Sequence, residues 1–205
     1  MITIIDYGSG NLRSIANGFS KINQKSNITK DPNQIADAKY LVLPGVGSFR
    51  HAMENINPYK KLIIEHINDG KPFLGICLGL QLLLTKSEES PNTKGLNIFK
   101  GEVKKLPKEF NLKIPHMGWN SLKKTSHEKT SKNSILDGIH NKYFYFVHSY
   151  YCRPKDEEII AGTTGYGFNL TAVLHENNVF ATQFHPEKSG TPGLKILKNF
   201  IKVNP

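Results

Sequence analysis

The sequence is poor in cysteine, tryptophan and acidic residues, and it has no long hydrophobic run. Two cysteines, Cys77 and Cys152, stand among 205 residues. A secreted domain held by disulfides uses many more, so a reducing, cytoplasmic setting with free thiols is expected. No apolar stretch comes near the ~20 residues that a membrane-spanning helix needs, so no membrane association is expected. Residues 1–5 have no basic flank and no extended apolar region, and Asp6-Tyr7-Gly8 follows them; they read as a short strand rather than a signal peptide. Acidic residues number 17 against 27 lysines and arginines, a formal charge of +10. The lysines come as separated pairs (Lys60-Lys61, Lys104-Lys105, Lys123-Lys124) with no nucleic-acid motif beside them, which argues against a DNA or RNA partner. The eight histidines show no metal-ligand spacing, so no metal site is expected.

What is present is an ordinary globular composition, 38% hydrophobic and 21% charged, long enough for one large domain over residues 1–205. Apolar runs alternate with helical spacing, the pattern of an α/β fold. Ile2–Ile5, Tyr40–Leu43 and Phe73–Ile76 read as buried strands. Between them, Leu12, Ile15, Ala16, Phe19 and Ile22 mark one helix, with Asn11 as its expected N-cap. Ala52, Met53 and Ile56 mark a second, which breaks near Pro58 and resumes through Leu62, Ile63 and Ile67. Residues 78–85 read as a further helix. This first half predicts a doubly wound parallel sheet. In the second half, residues 99–103, 143–147, 159–160, 171–174 and 179–184 are strand-like with short gaps, which favours antiparallel pairing. A helix from Pro192, with Leu194, Leu197, Lys198 and Ile201 on one face and Lys198 at its margin, ends this half. The expected fold is therefore a mixed, mostly parallel sheet flanked by helices, with antiparallel strands in the second half. Residues 125–133 are the most polar stretch and read as an exposed loop.

Three segments carry chemistry. Phe73-Leu-Gly-Ile-Cys-Leu-Gly79 is a strand, then Gly-x-Cys-x-Gly, then a helix, the thiol counterpart of a nucleophile elbow. Gly75 and Gly79 remove β-carbons that would collide at the sharp turn, and the turn sets Cys77 beside a helix N-terminus, where thiolate is favoured. The Leu78 N–H is placed to face an oxyanion. In Gln183-Phe-His-Pro-Glu187, a strand ends at His185, and Glu187 is in reach of the second imidazole nitrogen. That is the division of labour in a nucleophile–base–orienter triad. In Pro44-Gly-Val-Gly-Ser48, a Gly-rich turn after a strand offers the N–H of Val46 or Gly47 as a second oxyanion donor. A phosphate loop is excluded there, because the Walker lysine is missing.

Taken together and in this order, the three segments resemble the class I (triad) glutamine amidotransferases. The resemblance implies that Cys77 attacks the side-chain amide of L-glutamine, with His185 and Glu187 completing the triad. It also implies that Gln81 and the residues His148, Ser149 and Tyr150 bind the substrate. Asp6-Tyr-Gly-Ser-Gly-Asn-Leu-Arg-Ser14, Pro115-His-Met-Gly-Trp-Asn120 and Phe146-Val-His-Ser-Tyr150 are similar to the glutaminase subunits of imidazole glycerol phosphate synthases. Such a subunit docks on a (β/α)8 cyclase subunit as a heterodimer and feeds it ammonia for histidine biosynthesis. The resemblance then places Gly10, Asn11, Met117, Trp119 and Asn120 on the partner-facing side. The same triad is shared by paralogues that supply a sugar-modifying amidotransferase in surface polysaccharide synthesis, which is the alternative destination for the ammonia. A non-catalytic binding subunit on the same fold is the reading from outside enzymology.

Overall fold

The computed structural model describes residues 1–108, 112–126 and 134–203. The elements of the first half are β1 (Ile2–Ile5), α1 (Leu12–Ser20), β2 (Ser26–Thr29), α2 (Pro32–Ala36), β3 (Tyr40–Leu43), α3 (Phe49–Ile56), α4 (Lys60–Asn68), β4 (Phe73–Ile76) and α5 (Leu78–Leu82). There follow β5 (Lys86–Ser87), β6 (Gly101–Lys105), β7 (His116–Ser121), β8 (Lys123–Lys124), β9 (Tyr143–His148), β10 (Tyr150–Pro154), β11 (Ile160–Tyr166), β12 (Phe168–Glu176), β13 (Val179–Thr182) and α6 (Gly190–Phe200).

The main sheet runs β2-β1-β3-β4-β13-β12-β11-β8. Pairing is parallel from β2 across to β13 and antiparallel from there to β8. The short gap between β12 and β13 correctly signals their antiparallel pairing. The same strand β13 also runs parallel to β4, in register Thr182 with Ile76, and so joins the two halves. That second pairing is long-range, and spacing along the chain gives no sign of it.

Period-two alternation sorts the core to the two sheet faces. Ile5, Leu41, Leu43 and Phe73 pack with Phe49, Met53, Ile56 and Ile63 of α3 and α4. Ile4, Val42, Leu74 and Ile76 pack with Ile15 and Phe19 of α1 and Ile196, Leu197 and Phe200 of α6. β4 is buried at every position, as the central strand of a sheet covered on both faces must be. Two smaller sheets, β10-β6-β5 and the pair β7-β9, stand beside this layer.

Several local expectations change. Asn11 sits at the N-cap of α1, but its side chain makes no capping hydrogen bond. The helix after Cys77 ends at Leu82 rather than residue 85. α6 starts at Gly190, so Pro192 is not its first residue, and its buried face is Gly193, Ile196, Leu197 and Phe200. Lys198 is exposed, as its charge requires. β2 carries one strongly apolar residue and α2 only five residues, too little for periodicity to reveal; Asp31 caps α2 at the Asn33 N–H, 2.9 Å away. β7 forms although Gly118 interrupts it, because β9 supplies a six-residue antiparallel partner. Of the polar stretch 125–133, Thr125 is tied to Ala161 O at 3.1 Å, and residues 127–133 lie outside the described residues. Among the described residues, no helix is long and apolar enough to cross a membrane.

Candidate active site

Cys77 links β4 to α5 with φ 56° and ψ −107°. A non-glycine residue in that region costs of order 1–3 kcal/mol, so its surroundings must impose it. They do so through three backbone bonds: Cys77 N–H donates to Thr182 O at 2.7 Å, and Cys77 O accepts from Leu80 N at 3.1 Å and Gln81 N at 3.3 Å. The glycines of the elbow are sterically required. A β-carbon on Gly79 would lie 2.0 Å from Leu43 O, and one on Gly75 would lie 3.0 Å from the Gly79 carbonyl. A β-carbon on Gly45 would lie 2.7 Å from the Leu78 side chain, so the Gly-rich turn after β3 rests directly on the elbow. Leu78 is the first residue of α5, and its N–H has no carbonyl one turn back. With five residues, α5 carries little macrodipole; the N–H groups of its first turn are what act at the sulfur.

Beyond β13, His185 is held by its backbone. Its N–H donates to Tyr145 O at 3.0 Å, and its carbonyl accepts from the Ser189 hydroxyl at 2.6 Å. Pro186 opens a short 3-10 turn, Pro186–Lys188, that brings Glu187 back under the ring. His185 Nδ1–H donates to Glu187 Oε1 at 2.9 Å, and the two side chains are 4% and 0% exposed. This bond fixes the ring orientation and leaves Nε2 as the working nitrogen. Nε2 is buried and makes no hydrogen bond to the protein. Burial pushes the imidazole pKa down, but the Cys77 sulfur and the Glu187 carboxylate together outweigh it and hold the ring up at about 10. That balance favours the protonated form of the ring. Cys77 Sγ also lies 3.9 Å from Val147 O and 3.8 Å from Gln183 Nε2.

Cys77 and His185 open on one pocket of about 350 Å³, which Val46, Gly47, Leu78, Gln81, His148, Ser149 and Tyr150 also line. Every residue expected from the sequence to form the nucleophile's surroundings, the oxyanion donors or the substrate contacts is thus at this one cavity or, for Glu187, directly behind it. The Val46 N–H donates to Ser9 Oγ at 3.3 Å, and the Ser9 hydroxyl donates to Val46 O. Gly47 has φ 95°, a conformation glycine accepts readily. Gln81 is 5% exposed, and its Nε2 donates to Tyr150 O at 3.1 Å and to Gln183 Oε1 at 3.2 Å.

The expected partner-facing residues divide. Met117 and Trp119 are each 57% exposed, on one face of β7. Opposite them on β9 stand Val147 and Tyr145, so this face of the pair is apolar and uncovered. Asn11 is exposed; Gly10 is half-buried, and a β-carbon there would lie 3.0 Å from the Pro44 side chain. Asn120 does not share the Met117–Trp119 face. Strand alternation turns it inward, where Nδ2 donates to His116 Nε2 at 3.2 Å and to Gly165 O at 2.8 Å.

Four residues at the site escape sequence reasoning. Gln183 is fully buried between Gln81 and Cys77. Glu89 and Pro115 line the pocket, and His116 lies behind it against His148. Gln183 falls in the same strand run as His185, and that proximity was the one available signal. Pro115 and His116 stand in the Pro115–Asn120 segment, which the resemblance assigns to the partner side rather than to the pocket, and Glu89 comes from a loop whose approach is purely tertiary. Cys152, in contrast, is 1% exposed on β10, and burial together with the charge of Cys77 pushes its thiol well above the ordinary range.

The description "Glutamine amidotransferase class-I" belongs to the family model that matches residues 3–203. The chain is 49% identical over 203 residues to the imidazole glycerol phosphate synthase subunit HisH of Methanothermobacter thermautotrophicus, spanning 99% of this chain and 98% of that protein. It is 50% identical over 203 residues to the protein of the same description from Caldanaerobacter subterraneus subsp. tengcongensis, spanning 98% and 97%. Among solved structures, PurLQS from Thermotoga maritima superposes with a TM-score of 0.73 at 16% identity, over 98% of this chain and 96% of that one, a likeness of fold. An elbow cysteine facing a carboxylate-backed histidine, on this sheet and with these relatives, means that the chain belongs to the class-I glutamine amidotransferase family.

Proposed function

We propose that this chain is the glutaminase subunit of an imidazole glycerol phosphate synthase, hydrolysing L-glutamine to glutamate and passing the ammonia to a (β/α)8 cyclase subunit. The observation that carries the chemistry is the convergence of Cys77, His185 and Glu187 on one pocket, with His185 locked to Glu187 at 2.9 Å. The pocket volume of about 350 Å³ suits an amino-acid substrate. Glu89, the acidic side chain on its wall, offers a negative charge to the substrate's α-ammonium group.

In this reading, Cys77 Sγ adds as thiolate to the side-chain amide carbon, and the carbonyl oxygen becomes an oxyanion. The Leu78 N–H is one donor to it. The Val46–Gly47 turn supplies the second, where the Val46 N–H is presently engaged by Ser9. A single donor of this kind is worth roughly 3–4 kcal/mol in the transition state. The His185 imidazolium then gives its Nε2 proton to the departing nitrogen; the C–N bond breaks, ammonia leaves, and a thioester remains. Neutral His185 takes a proton from water as the hydroxide oxygen adds to the thioester carbon. Collapse of that second intermediate breaks the C–S bond and releases glutamate, with the sulfur returned as thiolate. No step calls for a metal or a cofactor. Both thiols act as free groups, which suits a reducing cytoplasm.

The destination of the ammonia rests on the HisH relatives and on the apolar Met117–Trp119 face beside the pocket. The test is ammonia release from glutamine by the chain alone and with a (β/α)8 cyclase carrying its nucleotide ligand. Stimulation by the cyclase supports the proposal. Turnover that the cyclase does not affect, or no turnover under either condition, refutes it.

A further inference from the structure

We propose that His116 is a positioning residue of the glutamine pocket: with His148 it forms a one-way hydrogen-bond relay tying Asn120 of β7 to the Tyr150 carbonyl. The same carbonyl also accepts from Gln81, which holds Gln183 beside the Cys77 sulfur. The inference rests on the pocket assignment made above and adds residues that touch neither substrate nor sulfur.

The proton positions follow from one fixed end. The Tyr150 carbonyl can only accept, so His148 Nδ1, 2.8 Å away, carries a proton. In a neutral ring, His148 Nε2 is then an acceptor. His116 Nδ1 lies 3.0 Å from it and must donate. His116 Nε2 is in turn an acceptor, matched by Asn120 Nδ2 at 3.2 Å. The Asn120 amide cannot be flipped to spoil this, because its Oδ1 accepts from Ser121 N at 2.8 Å and its Nδ2 also donates to Gly165 O at 2.8 Å. On the other side, the Tyr150 carbonyl takes a second bond from Gln81 Nε2 at 3.1 Å. Gln81 also holds Gln183 Oε1 at 3.2 Å, and Gln183 Nε2 points at Cys77 Sγ at 3.8 Å.

The rings are built to stay put. His116 is stacked between Phe146, with centroids 4.9 Å apart, and Tyr166, at 4.0 Å. His116 and His148 are 3% and 6% exposed. Burial pushes His116 down to about 4, and burial with the neighbouring His116 charge pushes His148 down to about 3, so both rings are neutral, as the relay requires. The triad chemistry does not use His116. It lies on the face of β7 opposite Met117 and Trp119, so its hydrogen bonds tie that strand to the glutamine pocket.

The test uses the full chain labelled with ¹⁵N-histidine and the complex with the cyclase. Two-bond ¹H–¹⁵N correlation spectra at neutral pH should show both rings as the Nδ1–H tautomer, with His116 assigned by its loss in His116→Phe. An Nε2–H tautomer on either ring overturns the relay. In the complex, His116→Phe keeps the stacking and removes both nitrogens. KM for glutamine should rise tenfold or more, with kcat within threefold and the rate of Cys77 alkylation unchanged. His116→Gln, which retains one donor and one acceptor, should recover part of the loss. An unchanged KM, or a fall in kcat alone, overturns the proposal. If His116→Phe does not fold, Asn120→Ala removes the first donor only and should raise KM in the same direction. If the wild-type complex fails to turn over glutamine, the pocket assignment fails, and the tautomers still decide the relay.

Discussion

Replacing Gly79 by alanine should disable the elbow without touching any reacting group. The added β-carbon would sit 2.0 Å from Leu43 O, whereas real β-carbons essentially never come closer than 3.0 Å to such an atom. Leu43 ends β3 in the middle of the parallel sheet, so the carbonyl has no freedom to retreat, and α5 must lift by about 1 Å or more. Overpacking of this kind costs about 1–3 kcal/mol. A displacement of about 1 Å at the reacting atoms costs on the order of 10²-fold in rate. Gly75→Ala is milder, because its β-carbon would stand 3.0 Å from the Gly79 carbonyl. Thermal melts and glutamine turnover in the cyclase complex should therefore rank wild type above Gly75→Ala and Gly75→Ala above Gly79→Ala. A Gly79→Ala protein with wild-type turnover would mean that the elbow does not place the nucleophile.

Glu187→Gln keeps the size of the side chain but removes the charge that helps hold His185 at about 10; kcat should fall by about 10²- to 10⁴-fold with little change in KM, measured by steady-state ammonia release. A change in KM alone would remove Glu187 from its assigned role. Cys77, 7% exposed on a pocket, should be alkylated by iodoacetamide far faster than Cys152, 1% exposed with its thiol pushed up; mass spectrometry of the native protein reads the two rates, and equal rates contradict the activated thiol. Stability should fall with acid in a particular window. His116 and His148 are held at about 4 and about 3, below the ordinary 6.5, so the folded chain refuses protons that the unfolded chain takes up. Their contribution is whole above pH 6.5 and is lost as pH falls towards 4 and 3. His185 works in the opposite sense, its contribution being whole below pH 6.5 and lost as pH rises through about 10. Urea melts between pH 7 and pH 4.5 check the acid limb, and a flat profile contradicts the neutral histidine pair.

The parts legible in the sequence are those set by short-range patterns. Apolar runs at Ile2–Ile5, Tyr40–Leu43 and Phe73–Ile76 become buried parallel strands because a central strand must be apolar on both faces. Gly75 and Gly79 flag the elbow because only glycine fits under Leu43 and beside the following turn. His185 and Glu187 are two residues apart, so their contact is local. What stayed hidden depends on tertiary approach. β13 meets β4 across more than half the chain, and no local spacing encodes that register. Gln183 and His116 acquire their roles from β4, α5, β9 and Tyr150, none of them adjacent in sequence. Asn120 shows the limit within a single segment. The motif from Pro115 to Asn120 is recognisable, but only the strand conformation of β7 separates the outward Met117 and Trp119 from the inward Asn120.

The most direct test of ammonia transfer compares two nitrogen sources in the complex of this chain with the cyclase. With Cys77→Ala in a properly folded complex, glutamine-dependent formation of imidazole glycerol phosphate should vanish, while formation from added ammonium salt continues at the wild-type rate. Retention of glutamine-dependent synthesis, or loss of both, would contradict the role given to Cys77.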